Sequence, residues 1–188
     1  MPNSIYAICN EGKYHSIEVE DEATIFAEYE NGASGVFISS TGDYKGTNRL
    51  EIIGTLGKIV LEKGTLTFTK FSCSERDLCI GKESSIDETT EIICDEDYNG
   101  HGCILQNFAN AILKGEALIA PANEAINELI ICNASYLSSW TGKKIALPIN
   151  EDEYLSLLNE KIKLSQSKGA NEKEIANKEY LDRWKTNW

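Results

Sequence analysis

From Ser4 to about Cys94 the chain is written in short apolar runs, separated by turn-forming glycine and asparagine. That spacing predicts an antiparallel sheet. Thr24 to Glu30 and Gly35 to Thr41 flank Asn31-Gly32, a pair that tolerates the positive φ of a type I′ hairpin turn. Leu50 to Ile53 and Lys58 to Leu61 flank a second tight turn at Gly54 and Gly57. Thr65 to Phe71 alternates apolar residues with threonine, the period of a strand with one apolar face, and Ile86 to Cys94 supplies a further strand. No helix-length periodicity interrupts this region, which excludes a parallel βαβ sheet there.

After Cys94 the period changes to that of helices. Ile104, Leu105, Phe108, Ala111 and Ile112 recur at three- and four-residue spacing, with Gly115 as the stop signal. Ile126, Leu129, Ile130, Ala134, Leu137 and Trp140 form a longer stripe that starts near Pro121 or Asn123 and ends at Gly142. Such stripes predict core packing. Lys144 to Ile149 reads as a strand, and Glu151 to Leu164 as a helix carrying Tyr154, Leu157, Leu158 and Ile162. The expected domain is therefore residues 1–164 in the α+β class, a large, mainly antiparallel sheet with helices packed on one face. Residues 165–188 read as a polar linker followed by a tail or docking helix with Ile175, Tyr180, Leu181, Trp184 and Trp188.

The strands carry apolar residues on both parities, as in Ile25 with Phe26, Phe37 with Val36 and Ile38, Ile53 with Leu50 and Ile52, and Val60 with Ile59 and Leu61. A sheet wet on one face alternates more strictly. Both faces are therefore expected to be covered, one by helices and the other by a partner domain or a second copy, with Phe26, Phe37, Ile53 and Val60 as candidate interface residues. A curled sheet with scattered surface apolars is the competing account.

Charge narrows the classes of partner. A net charge of -12 and 30 acidic against 18 basic residues exclude an electrostatic footprint for nucleic acid or an anionic membrane. No apolar run approaches the roughly 20 residues of a membrane span, and no leader precedes Ile5, so a cytoplasmic protein is expected. The six cysteines lack CxxC spacing and read as reduced, mostly buried residues. No metal site is expected, because His101 with Cys94 and Cys103 lacks zinc spacing.

Four segments, in consistent order over about residues 4–160, carry a family resemblance. They are Val19-Glu20-Asp21-Glu22-Ala23-Thr24, the stretch Asn48 to Glu62, Leu105 to Ile112, and Tyr136 to Lys144 leading into Ile145-Ala146-Leu147-Pro148. Together they resemble the C-terminal domain of the Gfo/Idh/MocA family of NAD(P)-dependent oxidoreductases. The resemblance implies hydride transfer between a sugar or polyol carbinol and nicotinamide. It also implies a separate nucleotide-binding domain, sheets that pair across subunits, and NAD or NADP in a full-length relative. In the family, a lysine of a Glu-Lys-Pro motif and an Asp or His on the helix before the sheet handle the hydroxyl proton. The resemblance places Met1 to Tyr6 just after those groups.

The residues themselves supply neither part. Glu62-Lys63-Gly64 lacks the proline and ends a hairpin strand, and Gly100-His101-Gly102 has Leu105 where a dinucleotide loop needs its third glycine. No catalytic or cofactor-binding residue is therefore assigned. His15, Tyr44, Lys45, Asn48, Arg49 and His101 are the candidate substrate contacts, since imidazole, phenol, amide and guanidinium groups bind hydroxyls. Each also fits an ordinary loop or capping role. The expected function is the substrate-binding and oligomerisation domain of a sugar or polyol oxidoreductase, inactive alone and bound to no cofactor of its own. The alternative is a non-catalytic self-associating or sugar-binding module.

Overall fold

The computed structural model describes residues 1–94 and 100–168. Two compact units make up the chain: Met1–Gly42 together with the chain from Asn123 onward, and Asp43–Ala122. Among the described residues, eight strands divide equally into two antiparallel four-stranded sheets, so the single large sheet expected from the sequence is two smaller ones. The α+β class stands.

The first unit is built on β1 (Ser4–Glu11), β2 (Glu20–Glu28) and β3 (Ser34–Ser40), with the two-residue β8 (Ile145–Ala146) added beside β1. Across these strands Ile5, Ala7, Cys9, Ile25 and Ala27 share one face. There they meet Ile131 and Ala134 of α3 (Ala122–Thr141) in the unit's core, where Ile5, Ala7, Ala134 and Leu137 are buried. Helix α4 (Glu151–Lys168) is held to α3 by a stack of Tyr136, Trp140 and Tyr154 and to β1 by Lys161–Glu11 at 2.6 Å. It runs past the expected end at Leu164.

Because β8 is so short, it pairs only with Ser4 and Ile5. Two serines of α3 take over where it stops: Ala7 N–H donates to Ser138 Oγ at 2.8 Å and Cys9 N–H to Ser139 Oγ at 3.0 Å. Ser138 then donates to Lys143 O at 2.6 Å, so one fully buried hydroxyl joins strand, helix and the turn that follows. Ile126 and Leu129, expected on the packed stripe of α3, are exposed. The packed stripe is centred instead on Ile131, Ala134 and Leu137.

The second unit holds β4 (Arg49–Gly54), β5 (Gly57–Glu62), β6 (Thr65–Phe71) and β7 (Glu88–Cys94), a meander in sequence order. Its β5–β6 turn is Lys63-Gly64, both at positive φ, the two-residue type I′ geometry. A short helix, α1 (Glu75–Cys79), which no sequence signal had indicated, follows β6, and α2 (Gly100–Lys114) follows β7. Leu50, Ile52, Ile59 and Leu61 share a face with Leu66 and Phe68, and the first four are exposed. So are Leu105, Phe108 and Ile112 of α2, which the periodicity assigns to a core.

Cys79, Cys103 and Cys132 are exposed, and Cys9 and Cys73 half-buried, so the expectation of mostly buried cysteines fails; all five are free thiols. The expected docking residues Ile175, Tyr180, Leu181, Trp184 and Trp188 lie outside the described residues.

Candidate functional site

A dense polar arrangement lies at the β1–β2 end of the first unit. Gly12, at φ +58, turns the chain out of β1, and a Cβ there would stand 2.7 Å from Ile17 O. The loop closes with Gly12 N–H donating to Val19 O at 3.2 Å and Ile17 N–H to His15 O at 2.9 Å. It then wraps its own backbone donors around one carboxylate. Lys13 N–H donates to Asp21 Oδ1 at 3.0 Å, while Tyr14 and His15 N–H donate to Oδ2 at 2.7 and 2.9 Å.

Asp21 is only 2% exposed. Burial by itself would raise its carboxyl, but the N–H groups of Tyr14, His15 and Lys13, with the His15 ring, outweigh that and hold it below the usual range. Thr41 N–H donates to Asp21 O at 2.9 Å, tying the start of β2 to the end of β3. His15 sits beside this pair, its Nδ1 3.4 Å from both Asp21 Oδ2 and Thr41 Oγ1.

Next to it Glu22 accepts from Lys13 Nζ, Tyr14 Oη and Asn10 Nδ2, each at 2.7 Å. Those three donors pull its carboxyl down to about 2. The Tyr14 ring lies on Gly42, where a Cβ would come within 2.4 Å of it. On the same strand Glu20 accepts from Tyr136 Oη at 2.5 Å, and burial, then this bond, push the phenol far above its ordinary value. The result is a polar rim whose donors and acceptors are paired with one another.

A second concavity, about 430 Å³, opens where the end of β1 meets α3 and α4. Asn10, Glu11, Ser139, Trp140, Glu160 and Lys161 give it its polar and aromatic wall.

The sequence candidates divide between the units. His15 belongs to the first, within the Asp21 arrangement. Tyr44, Lys45, Asn48, Arg49 and His101 belong to the second. Tyr44 is 87% exposed with Lys45 Nζ 5.7 Å from its ring, and Lys45 itself adopts φ +55. Asn48 ends the same loop. The Arg49 guanidinium is taken up by Glu51 at 2.7 Å and Glu62 at 2.6 Å, Glu51 and then Glu62 holding it above its usual range. His101 is the second residue of α2. Asp21, Glu22 and Thr41 were missed as site residues, although Gly12 before a polar loop and an acidic run after it is the signal of a carboxylate-anchored turn.

Comparison with solved structures agrees with this architecture. Levoglucosan dehydrogenase, solved with NADH and levoglucosan, superposes on 79% of the chain with TM-score 0.62 at 15% identity, over 46% of its own length. Aldose-aldose oxidoreductase from Caulobacter crescentus, complexed with glycerol, gives 0.57 at 16% identity over 78% of the chain and 41% of its own. Residues 1–60 match the family described as the GFO/IDH/MocA C-terminal domain. The chain has the Gfo/Idh/MocA C-terminal domain fold. The WlbA dehydrogenase from Bordetella pertussis, in complex with NADH and UDP-GlcNAcA, also shares this fold, at 19% identity and TM-score 0.50 over 79% of the chain and 40% of its own length. The chain thus spans less than half of each of these relatives. No curated protein matches it. Among the described residues no helix is long and apolar enough to cross a membrane.

Proposed function

We propose that this Gfo/Idh/MocA-type domain is the substrate-binding and oligomerisation part of an NAD(P)-dependent sugar or polyol oxidoreductase, working in the cytoplasm. The observation that carries the reading is the fold match over about half of levoglucosan dehydrogenase, a protein solved with NADH and levoglucosan. The polar rim of His15, Thr41 and Glu22 supports it, because hydroxyl-rich ligands are bound by groups whose positions are fixed beforehand. His15 is the candidate substrate contact of the first unit in this reading, and Tyr44, Lys45, Asn48 and His101 are candidates carried by the second. Arg49 contributes by ordering β4 through its two carboxylates. The nicotinamide and the proton-transfer groups come from a nucleotide-binding domain outside this chain, so the chain alone is inactive.

Self-association belongs to the same reading. Tyr6, Ile8, Phe26, Val36 and Ile38 share the face of the first sheet opposite α3, and each is exposed. Exposed Ile53 and half-buried Val60 share a face of the second. Apolar surface of this extent is characteristic of interfaces.

Titrating the chain alone with NADH and NADPH, and following nicotinamide fluorescence, tests the division of labour. No binding into the millimolar range is expected. Micromolar affinity would put a cofactor site on this chain and overturn the reading.

A further inference from the structure

The face of the first sheet turned away from α3 is ordered in rows across β1, β2 and β3. Register sets two middle rows, Tyr6 with Phe26 and Val36, and Ile8 with Thr24 and Ile38, between an end row centred on Glu28 and another centred on Glu22. All six middle residues are exposed, and all but Thr24 are aliphatic or aromatic. On these three strands, charge enters the face only through Glu22 and Glu28. Each of these carboxylates is met by an ammonium of its own chain. Glu22 accepts from Lys13 Nζ at 2.7 Å, and Glu28 from Lys144 Nζ and, at 2.8 Å, from Ser4 Oγ. Lys13 follows the end of β1 and Lys144 precedes β8, so one ion pair closes each end of the apolar band. Lys13 is the main cause that holds the Glu22 carboxyl below its usual range, and Lys144 does the same for Glu28.

We infer that Lys13 and Lys144 neutralise the two ends of this face so that it receives the same face of a second copy of the chain. Self-association, proposed above, is the premise; the neutral rim is what permits it in a chain of net charge -12. Exposed ion pairs add little to the stability of a fold. At an interface their effect is larger, because facing sheets pack about 10 Å apart, close to the Debye length at ~0.1 M salt. Without the lysines, Glu22 and Glu28 of each copy would face the carboxylates of the other across that gap, and like charges set against each other are costly. A two-fold axis lying in the interface sets middle rows against middle rows and end rows against end rows, whether it runs along the strands or across them. Apolar surface then meets apolar surface, and one neutral rim meets another. A basic partner is not favoured, since it would find both carboxylates of this face already taken.

Sedimentation equilibrium of the full chain tests this at about 0.01 M and about 1 M salt, where the Debye length is ~30 and ~3 Å. Lys13→Met with Lys144→Met keeps both side-chain stems and removes both charges. At low salt the dissociation constant of this double variant is expected to rise at least about tenfold over wild type, and at high salt to return to within about threefold of it. Adding Glu22→Gln and Glu28→Gln takes away the carboxylates themselves, and is expected to restore association at low salt. A loss that neither salt nor the glutamines reverse would show that the lysines act by supporting the fold, and would overturn the inference. A double variant that associates as tightly as wild type at low salt would overturn it too, while leaving the self-association reading in place. A monomeric wild type would overturn both.

Discussion

Ser138 carries a role that its size conceals, and replacing it by alanine measures how the first unit holds its sheet edge. The side chain is 0% exposed, accepts Ala7 N–H at 2.8 Å and donates to Lys143 O at 2.6 Å. Ser138→Ala keeps the helix, since alanine is the better helix former, but leaves one backbone donor and one backbone acceptor without their partner. An orphaned buried polar group costs about 1–3 kcal/mol. The Lys143 carbonyl lies beside the end of the helix and reaches water more readily than Ala7, so the sum falls near 2–4 kcal/mol rather than at the upper limit. That is a large fraction of the ~5–15 kcal/mol that typically holds a domain. Native-state hydrogen exchange reads it from amides of β1 and β2 whose own bonds are untouched. They are expected to exchange about 30- to 1,000-fold faster, at tenfold per ~1.4 kcal/mol. Ser156→Ala, on the exposed side of α4, serves as the control and should change stability by less than about 0.5 kcal/mol. If Ser138→Ala is no more destabilising than Ser156→Ala, the β1 edge is satisfied by something other than this hydroxyl, and the account of β8 and α3 as a shared edge cap is wrong.

Two further outcomes follow from the site and the sheet face. Glu22 has its carboxyl lowered from 4.5 to about 2 by Lys13, Tyr14 and Asn10, so its stabilisation is complete above about pH 4.5 and is lost as pH falls towards 2. The thermal midpoint is expected to drop over that window and to drop less steeply in Glu22→Gln; equal slopes would show that the three donors do not favour the ionised form. For the sheet face, sedimentation should find the wild-type chain self-associated and Phe26→Glu monomeric, with Phe37→Glu still associated. A monomeric wild type, or a monomer produced by the Phe37 change alone, would refute that placement of the interface.

Local rules made most of the elements legible. Thr65 to Phe71 is β6 to the residue, because strict alternation has only one interpretation, and Gly115 and Gly142 follow α2 and α3 at positive φ as helix stops. What stayed hidden depends on residues distant in sequence. Ser138 reaches Ala7 across 131 positions, and no spacing along α3 marks a serine as a strand cap. Asp21 was readable as part of a family motif but not as the acceptor for three backbone donors, since a loop's conformation is fixed by the closure it makes. Helix α1, five residues long, is too short to show any period. The division into two sheets turns on whether β3 and β4 pair, and the polar stretch 41–48 between them is silent on that point.

The placement of the two phenylalanines shows how much rests on one residue of register. A two-residue type I′ turn at Asn31-Gly32 would set Glu30 opposite Ala33 and hence Phe26 opposite Phe37, side by side on a single face. The hairpin closes differently. Tyr29 N–H donates to Ala33 O at 2.9 Å, Gly32 N–H donates to Tyr29 O at 3.0 Å, and Gly32 alone takes positive φ, at +82. That is a three-residue loop, a β-turn followed by a left-handed glycine. The added residue pairs Phe26 with Val36 and Ile25 with Phe37. A slip of one position turns every side chain of a strand over, so Phe37 joins the face that α3 covers, at an outer strand where 59% of it remains exposed. Phe26 stays on the opposite face with Tyr6, Ile8, Val36 and Ile38. One surface cannot use both phenylalanines, which is why the two glutamate substitutions are expected to part company in the centrifuge.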